Sequence, residues 1–196
     1  MLGMKSAKAG TLERSVSVCM DNYCKQTHQF EEYGFPTIVA AGKNIANLRH
    51  FSADSHIKAS DLVLVDFSIT LGGYVSDLTA TFPVSGKFTT KQRQIYEVVY
   101  RANRSVIEAS KPGVKWTDMH LLAEGIILEG LQRIGVVKKE ADLKQIQSEG
   151  VGTLFFPNGV GHLVGLDIQD VGGYLQQTPK RSEEINLKQL RHARVL

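Results

Sequence analysis

Two aspartates stand in stretches whose composition is otherwise typical of buried β-strands. Asp66 follows four apolar residues in LVLVDF, and Asp77 lies further along the chain in GYVSDLTATFP. Two carboxylates facing each other across strands are destabilising unless a proton or a cation lies between them. Hard divalent cations prefer oxygen ligands, so these residue types favour a metal site. The simpler alternative is that both side chains point into solvent.

The two aspartates are predicted to face each other across a β-hairpin. If residues 62–83 form one hairpin that turns near Leu71 and Gly72, Asp66 pairs directly with Asp77. The Cβ atoms of such a pair lie roughly 5 Å apart. A β-bulge or another turn length would shift this register.

A histidine in a glycine-rich stretch is the third candidate ligand. In PNGVGHLVGLD, His162 follows Gly159 and Gly161, whose missing side chains let the backbone approach a site closely. A lone histidine in such a strand is more often a core residue than a ligand, so its weight comes from combination with the aspartates. Two aspartates and a histidine would suit manganese, cobalt, iron or zinc about equally.

Strands are predicted to carry the aspartates. β-rich composition predicts one strand in residues 35–41, broken by Gly42, and another within residues 57–70. A further strand is expected after Gly72 and Gly73. The glycine-rich stretch 155–174 also has β character.

Helices are predicted in the middle of the chain, where the hydrophobic period changes. One helix begins at Thr89 or Thr90 and runs to Ala109, and another begins at Thr117 and stops at Gly135. A short third helix is expected in residues 141–148. Strands, then helices, then a strand-and-loop region indicate the α+β class.

The gross composition excludes several functions. The 196 residues are 42% hydrophobic and carry a formal charge of +3 without a long basic run, so neither nucleic acid nor a membrane is an expected partner. No apolar run approaches the ~18 residues of a membrane span, and the N-terminus has no signal peptide, so a cytoplasmic location is expected. Cys19 and Cys24 are expected to be reduced thiols rather than zinc ligands.

Taken together, these stretches resemble a known enzyme family. The strings VDFSITLGGYVSDLTATFP, KPGVKWTDMH and PNGVGHLVGLDIQDVGGY are similar to motifs of the pita-bread metallopeptidases, and most similar to those of prolidases, the Xaa-Pro dipeptidases. The resemblance runs from about Gly34 to Leu196. It implies a pita-bread (creatinase/aminopeptidase-like) fold, with residues 1–33 as a poorly determined N-terminal segment and residues 34–196 as a partial catalytic domain.

The resemblance also implies roles for particular residues. Asp66, Asp77 and His162 would be metal ligands, with Asp77 bridging two ions that are usually Mn²⁺ in prolidases. His50 would line the substrate pocket and serve catalysis. Arg191 would hold the free carboxylate of a dipeptide with a C-terminal proline, because a planar guanidinium binds a carboxylate bidentately. Without the resemblance, Arg191 would be interpreted as a solvated residue of a basic tail.

Three positions depart from the family pattern. Gln169 stands where the family has a histidine that contacts the substrate carbonyl, and a glutamine there can donate a hydrogen bond but cannot become an imidazolium. Asn158 replaces a second family histidine, and Ser68 replaces a glycine after the first aspartate. The family's two glutamate ligands are expected beyond Leu196, so the chain is expected to be truncated at its C-terminal end.

Two functions follow from the resemblance and its departures. The first is metal-dependent hydrolysis of Xaa-Pro dipeptides by a prolidase-like homodimer, with this chain incomplete for activity. The alternative is a catalytically silent pita-bread module that binds peptides or proteins. An incomplete gene product that covers an exposed sheet edge by association is a third interpretation.

Overall fold

The chain divides into two units, each with its own buried apolar residues. The computed structural model describes residues 1–27, 31–171, 176–177, 180–190 and 195–196. The first unit comprises Met1–Thr89 and Val164–Asp170, and the second comprises Thr90–Leu163 and Val171–Leu196. No helix within the described ranges is long and apolar enough to cross a membrane.

The first unit is an antiparallel sheet packed against helices. Strands β1 (Ile38–Ala41), β2 (Leu62–Phe67) and β5 (Leu78–Pro83) form a three-stranded sheet in that order, and β3 (Thr70–Leu71) and β4 (Tyr74–Val75) form a two-stranded ribbon. Val16 in the second helix is buried together with Val39 and Val63 of the sheet. In chain order the elements are α1 (Leu2–Ser6), α2 (Glu13–Thr27), β1 (Ile38–Ala41), β2 (Leu62–Phe67), β3 (Thr70–Leu71), β4 (Tyr74–Val75) and β5 (Leu78–Pro83).

The predicted hairpin forms, but its predicted register is wrong. Asp66 pairs with Thr79 rather than with Asp77. The reason is the position of the turn, which lies at Gly72 and Gly73, one residue later than expected. These glycines have φ angles of 59° and 77°. Positive φ at both central residues is the geometry of two-residue turns whose twist matches that of the flanking strands.

A carboxylate from a distant residue holds this turn. Glu31 accepts hydrogen bonds from the backbone N–H groups of Gly72 and Gly73, at 2.9 and 3.1 Å. Its neighbour Glu32 forms an isolated antiparallel bridge with Thr70 of β3. The segment just before the sheet therefore fixes the turn that sets the hairpin register.

The second unit is built on two long helices, as predicted. They are α3 (Thr90–Ala109) and α4 (Trp116–Arg133), followed by α5 (Leu143–Ser148). The two helices approach closely at Gly130 of α4. A Cβ added to Gly130 would lie only 2.5 Å from the side chain of Val98 on α3. Asp142 caps α5 by accepting hydrogen bonds from two backbone N–H groups.

The expected β character of the glycine-rich stretch is not observed. The described part of that stretch, residues 155–171, contains no strand and follows a 3-10 turn at Val151–Leu154. The backbone N–H of Val75 donates to the carbonyl of Gly165 in this stretch, at 2.8 Å. A strand needs a neighbour along its length to pair its backbone groups, and composition alone does not supply one. The α+β class itself is confirmed.

The turn glycines yield a stability prediction. Gly73→Ala is expected to lower the free energy of unfolding by about 1–2 kcal/mol, because an L-residue with a Cβ is strained at positive φ. Urea denaturation followed by circular dichroism would measure it. Gly125→Ala is the matched control, since that glycine lies inside α4 and an added Cβ meets nothing closer than 4.0 Å. The control is expected to be neutral or stabilising, and an equal cost for both variants would contradict the role of the turn.

Candidate active site

The two aspartates lie on one hairpin and are both partly buried. Asp66 is in β2, and its Oδ1 accepts a 2.7 Å hydrogen bond from the hydroxyl of Thr79 on β5. Asp77 directly precedes β5, two positions before Thr79. Because side chains alternate along a strand, Asp77 belongs to the same face as Asp66 but lies diagonal to it rather than opposite. Diagonal neighbours in a regular ladder are about 7–8 Å apart.

Two serines preserve the register across a break in the hairpin. The hydroxyl of Ser68 donates to the carbonyl of Ser76 at 2.7 Å. Ser76 Oγ in turn bonds both backbone groups of Ile69, at 3.1 and 3.0 Å. The backbone N–H of Ser76 also donates to the carbonyl of Ile69 at 2.9 Å, and with these bonds the same pairing continues on both sides of the break without an extra residue. Ser68, first noted only as a departure from a family glycine, helps to place Asp77.

His50 lies in the first unit against a buried carboxylate that sequence reasoning missed. Its Nε2 is 2.7 Å from Oε2 of Glu13, and the two residues are only 6% and 0% exposed. Glu13 begins α2, where acidic residues are common because of the helix dipole. No local signal distinguishes it from an ordinary first-turn residue, and only the fold reveals its burial.

The Glu13 carboxylate is charged despite its burial. Burial by itself raises its pKa, but hydrogen bonds from Asn44, His50 and the N–H of Ala41 outweigh that effect and leave the pKa below its usual 4.5. The Ala41 and Asn44 bonds to Oε1 measure 2.7 and 3.0 Å. A 3.3 Å bond from the N–H of Ser55 reaches Oε2. The donors therefore replace the water that the carboxylate has lost.

His162 lies in the second unit, outside any strand, and is partly buried. Its Nδ1 is 3.0 Å from the carbonyl oxygen of Leu163, which can only accept, so Nδ1 carries the proton. The lone pair is then on Nε2, the nitrogen that would bind a metal. The glycines before it allow close packing within the protein: an added Cβ at Gly159 would lie 2.9 Å from the carbonyl oxygen of Gln189.

Of the remaining candidate residues, two are exposed and one lies outside the described residues. Gln169 is exposed, in a turn of the segment that belongs to the first unit. Asn158 is also exposed and precedes the His162 segment. Arg191 lies outside the described residues.

A second buried polar cluster, also missed from the sequence, lies in the second unit. His120 and Glu124 are one turn apart on α4, and each is 1% exposed. The His120 ring stacks on Phe156 with ring centroids 4.7 Å apart. Asn186 donates to Oε2 of Glu124 at 3.2 Å. Burial lowers the pKa of His120, opposed in part by the charge of Glu124 and by a hydrogen bond with the backbone of Asn186.

The donor set suits a divalent cation in chemistry, although the residues that the structure describes form no complete cage. Within the described ranges, no group of three or more histidine, cysteine, aspartate or glutamate side chains is arranged to hold a metal ion. Asp66 and Asp77 nevertheless offer oxygen ligands on one face of a hairpin, and Thr79 orients the first of them. The aspartates therefore fit as part of a site for a hard metal ion.

Comparison with known proteins identifies the family. A sequence profile of metallopeptidase family M24 matches residues 1–190. The chain belongs to metallopeptidase family M24. The predicted resemblance to pita-bread metallopeptidases is thereby confirmed.

Similar curated proteins include Xaa-Pro dipeptidases. The rat (Rattus norvegicus) enzyme is 39% identical over 198 residues, and the human (Homo sapiens) enzyme is 37% identical over 197. A probable Xaa-Pro aminopeptidase of Fusarium vanettenii is 38% identical over 170 residues, which cover 86% of this chain and 35% of that protein. The two dipeptidase matches cover 98% of this chain but only 39% of each relative, so the chain spans well under half of their length.

Solved structures with the same fold are aminopeptidases. The zinc-substituted Escherichia coli aminopeptidase P in complex with product superposes with a TM-score of 0.86 at 27% identity. The Pseudomonas aeruginosa aminopeptidase PepP gives 0.85 at 29% identity. The matches cover 100% and 99% of this chain and 40% of each neighbour. The predicted pita-bread fold is confirmed over the part of it that this chain contains.

The lowered pKa of Glu13 predicts an acid-dependent loss of stability. A folded-state pKa below 4.5 means that Glu13 contributes stability above that pH, which is lost as the pH falls through the lowered value. The difference in unfolding free energy between the wild type and Glu13→Gln is therefore expected to be largest near about pH 7 and to become smaller as the pH falls toward about pH 3. Urea denaturation across this range would measure it.

An exposed glutamate provides the control for this measurement. Glu97 forms a 3.6 Å ion pair with Arg93 on the surface of α3. Glu97→Gln is expected to change the unfolding free energy by less than about 0.5 kcal/mol. A Glu13→Gln difference that stays constant down to low pH would refute the assignment of a charged Glu13.

Proposed function

We propose that this chain is part of a metal-dependent catalytic domain that hydrolyses Xaa-Pro dipeptides. The observation that carries the proposal is membership in metallopeptidase family M24, combined with 39% identity to rat Xaa-Pro dipeptidase over 98% of the chain. The two half-buried aspartates on one face of the hairpin support it, because carboxylate oxygens are the ligands that hard divalent ions prefer.

Asp66, Asp77 and His162 are the proposed metal ligands, with Mn²⁺ as the metal and Asp77 as the bridging ligand between two ions. Bound divalent ions supply a water of lowered pKa and polarise the scissile carbonyl. The chain's own contribution is orientation. Thr79 fixes the carboxylate of Asp66 with a 2.7 Å bond, and the carbonyl of Leu163 keeps the proton of His162 on Nδ1.

The proposed substrate is a dipeptide with a C-terminal proline. His50 is proposed to line the substrate pocket and to act in catalysis. Arg191 is proposed to bind the free carboxylate of the dipeptide, which would restrict hydrolysis to substrates of that length. Gln169 is proposed to donate a hydrogen bond to the substrate carbonyl in place of a histidine.

We further propose that the protein is a cytoplasmic homodimer with no nucleic-acid or membrane partner. The small, evenly spread charge supports the lack of these partners, whereas the homodimer rests on the resemblance to prolidases. The division into an N-terminal segment, residues 1–33, and a partial catalytic domain, residues 34–196, also remains a proposal.

A specific observation favours the alternative of a silent peptide-binding module. Gln169 and Asn158 stand where the resemblance expects histidines, and the part of the chain that the structure describes gathers no three-ligand group. Such a module would keep the fold without hydrolysis. It would bind Gly-Pro without converting it.

A manganese titration separates the two functions. We expect calorimetry of the purified chain to show saturable Mn²⁺ binding, and hydrolysis of Gly-Pro is then assayed with the loaded chain. Rat Xaa-Pro dipeptidase serves as the positive control for the assay. Absence of saturable Mn²⁺ binding, together with Gly-Pro binding that leaves the peptide intact, would favour the silent module.

The aspartates are expected to contribute unequally to metal affinity. Asp77→Asn should weaken Mn²⁺ binding more than Asp66→Asn, because a bridging ligand contacts two ions. Thr79→Val, which removes only the bond that orients Asp66, should cost roughly tenfold. Calorimetric dissociation constants for the three variants would test this order. Equal losses for the two aspartate variants would argue against Asp77 as the bridge.

Arg191 is expected to recognise the carboxylate of the dipeptide. Arg191→Ala should raise KM for Gly-Pro roughly tenfold to a hundredfold, the cost of losing charge-assisted hydrogen bonds. KM for the amide Gly-Pro-NH₂, which lacks the carboxylate, should change little. Lys188→Ala removes a nearby exposed positive charge and is the matched control. If both variants raise KM equally, Arg191 acts only through net charge.

A further inference from the structure

The Glu13 carboxylate is saturated with donors. Oε1 accepts from the N–H of Ala41 and the amide of Asn44, and Oε2 accepts from His50 and the N–H of Ser55. An ionised carboxylate has about four acceptor sites, so each donor occupies one. The carboxylate cannot rotate without leaving a buried donor unpaired, which costs more than the hydrogen bond is worth.

The same contacts fix the tautomer of His50. The other donors to the carboxylate carry obligatory hydrogens, and the ionised carboxylate can only accept. His50 Nε2 must therefore carry a proton to make its 2.7 Å contact with Oε2. In the neutral ring, Nδ1 is then the nitrogen with the lone pair.

The backbone near His50 is tied to the same helix start. The N–H groups of Glu13 and Arg14 donate to the carbonyls of Ser55 and Ala53, at 3.0 and 2.9 Å. The Arg14 guanidinium donates to the carbonyl of Ser52 at 2.8 Å. Both the ring of His50 and the loop that follows it are therefore held by the first turn of α2.

We propose that Glu13 is a positioning residue for His50: it holds the imidazole in the Nε2–H tautomer, so that Nδ1 is the ring nitrogen that engages the dipeptide. This inference rests on the proposed role of His50 in the substrate site. Glu13 itself does not contact the substrate. Its effect resembles that of any buried carboxylate that orients a histidine, by fixing the tautomer and the orientation of the ring.

Histidine ¹⁵N NMR tests the tautomer directly. The chain has six histidines, and the signals of His50 are identified by their loss in His50→Ala. The wild type is expected to show a single Nε2–H tautomer for His50 when the ring is neutral. Glu13→Gln is expected to abolish this single state. The amide NH₂ group that replaces one carboxylate oxygen donates and cannot accept, so the side chain no longer requires a proton on Nε2 of His50. An unchanged tautomer in Glu13→Gln would overturn the proposal.

A double-mutant cycle tests the link to catalysis. With Mn²⁺-loaded protein and Gly-Pro, Glu13→Gln is expected to lower kcat/KM roughly tenfold to a hundredfold. Combined with His50→Ala, it should add little, because the two residues act as one unit. Additive losses would mean that Glu13 serves stability alone and would overturn the positioning role.

Two further variants keep the test decisive. Asn44→Ala removes another donor to the same carboxylate and should leave the His50 tautomer unchanged. If Glu13→Gln fails to fold, Glu13→Asp keeps the charge but withdraws the carboxylate from His50, and it should also release the tautomer. Wild-type protein that neither binds nor hydrolyses Gly-Pro would refute the proposed function, whereas the NMR result reports on Glu13 independently of turnover.

Discussion

The first unit depends on a carboxylate that has no contact with water. Glu13 is 0% exposed, and a bare charge at such a position would be prohibitively costly. Its cost is offset because β1, the turn that follows it and the loop around His50 each supply a donor. Those segments are distant in sequence, and the first turn of α2 is where they converge. Glu13, which holds His50, is thus a glutamate at the start of a helix, and nothing in the sequence around it indicates that it is buried.

At the turn of the hairpin, too, a carboxylate accepts hydrogen bonds from backbone N–H groups of residues distant in the sequence. Gly72 and Gly73 adopt positive φ, and the exposed Glu31 carboxylate pairs with the N–H groups that the turn leaves unsatisfied. The turn position determines which residue faces Asp66, since pairing in a hairpin follows directly from its turn. Moving the turn by one residue replaces Asp77 with Thr79 as the partner and gives Asp66 a hydroxyl donor. The second aspartate is left diagonal, where a metal ion could be shared without direct contact between carboxylates.

The second unit holds polar groups that no function proposed for this chain uses. His120 and Glu124 are buried side by side on α4, with His120 Nδ1 and Glu124 Oε1 lacking a hydrogen-bond partner. Burial keeps the pKa of the histidine low, which favours the neutral ring. Family M24 membership and superposition on aminopeptidases establish the fold over the 40% of those neighbours that this chain covers.

The sequence by itself determined the helices between Thr90 and Ser148, the α+β class and the family, whereas it gave no prediction for α1 and α2. Each of these follows from local periodicity or from short motifs, such as the apolar face of α3, which begins at Thr90, and the aspartate strings around Asp66. Only the tertiary structure decided the hairpin register, the partner of His50 and the absence of a strand in described residues 155–171. The physical reason is that burial and hydrogen-bond partners are set by contacts between residues far apart in the chain, and Glu13 and His50, 37 positions apart, leave no trace of their contact in local sequence.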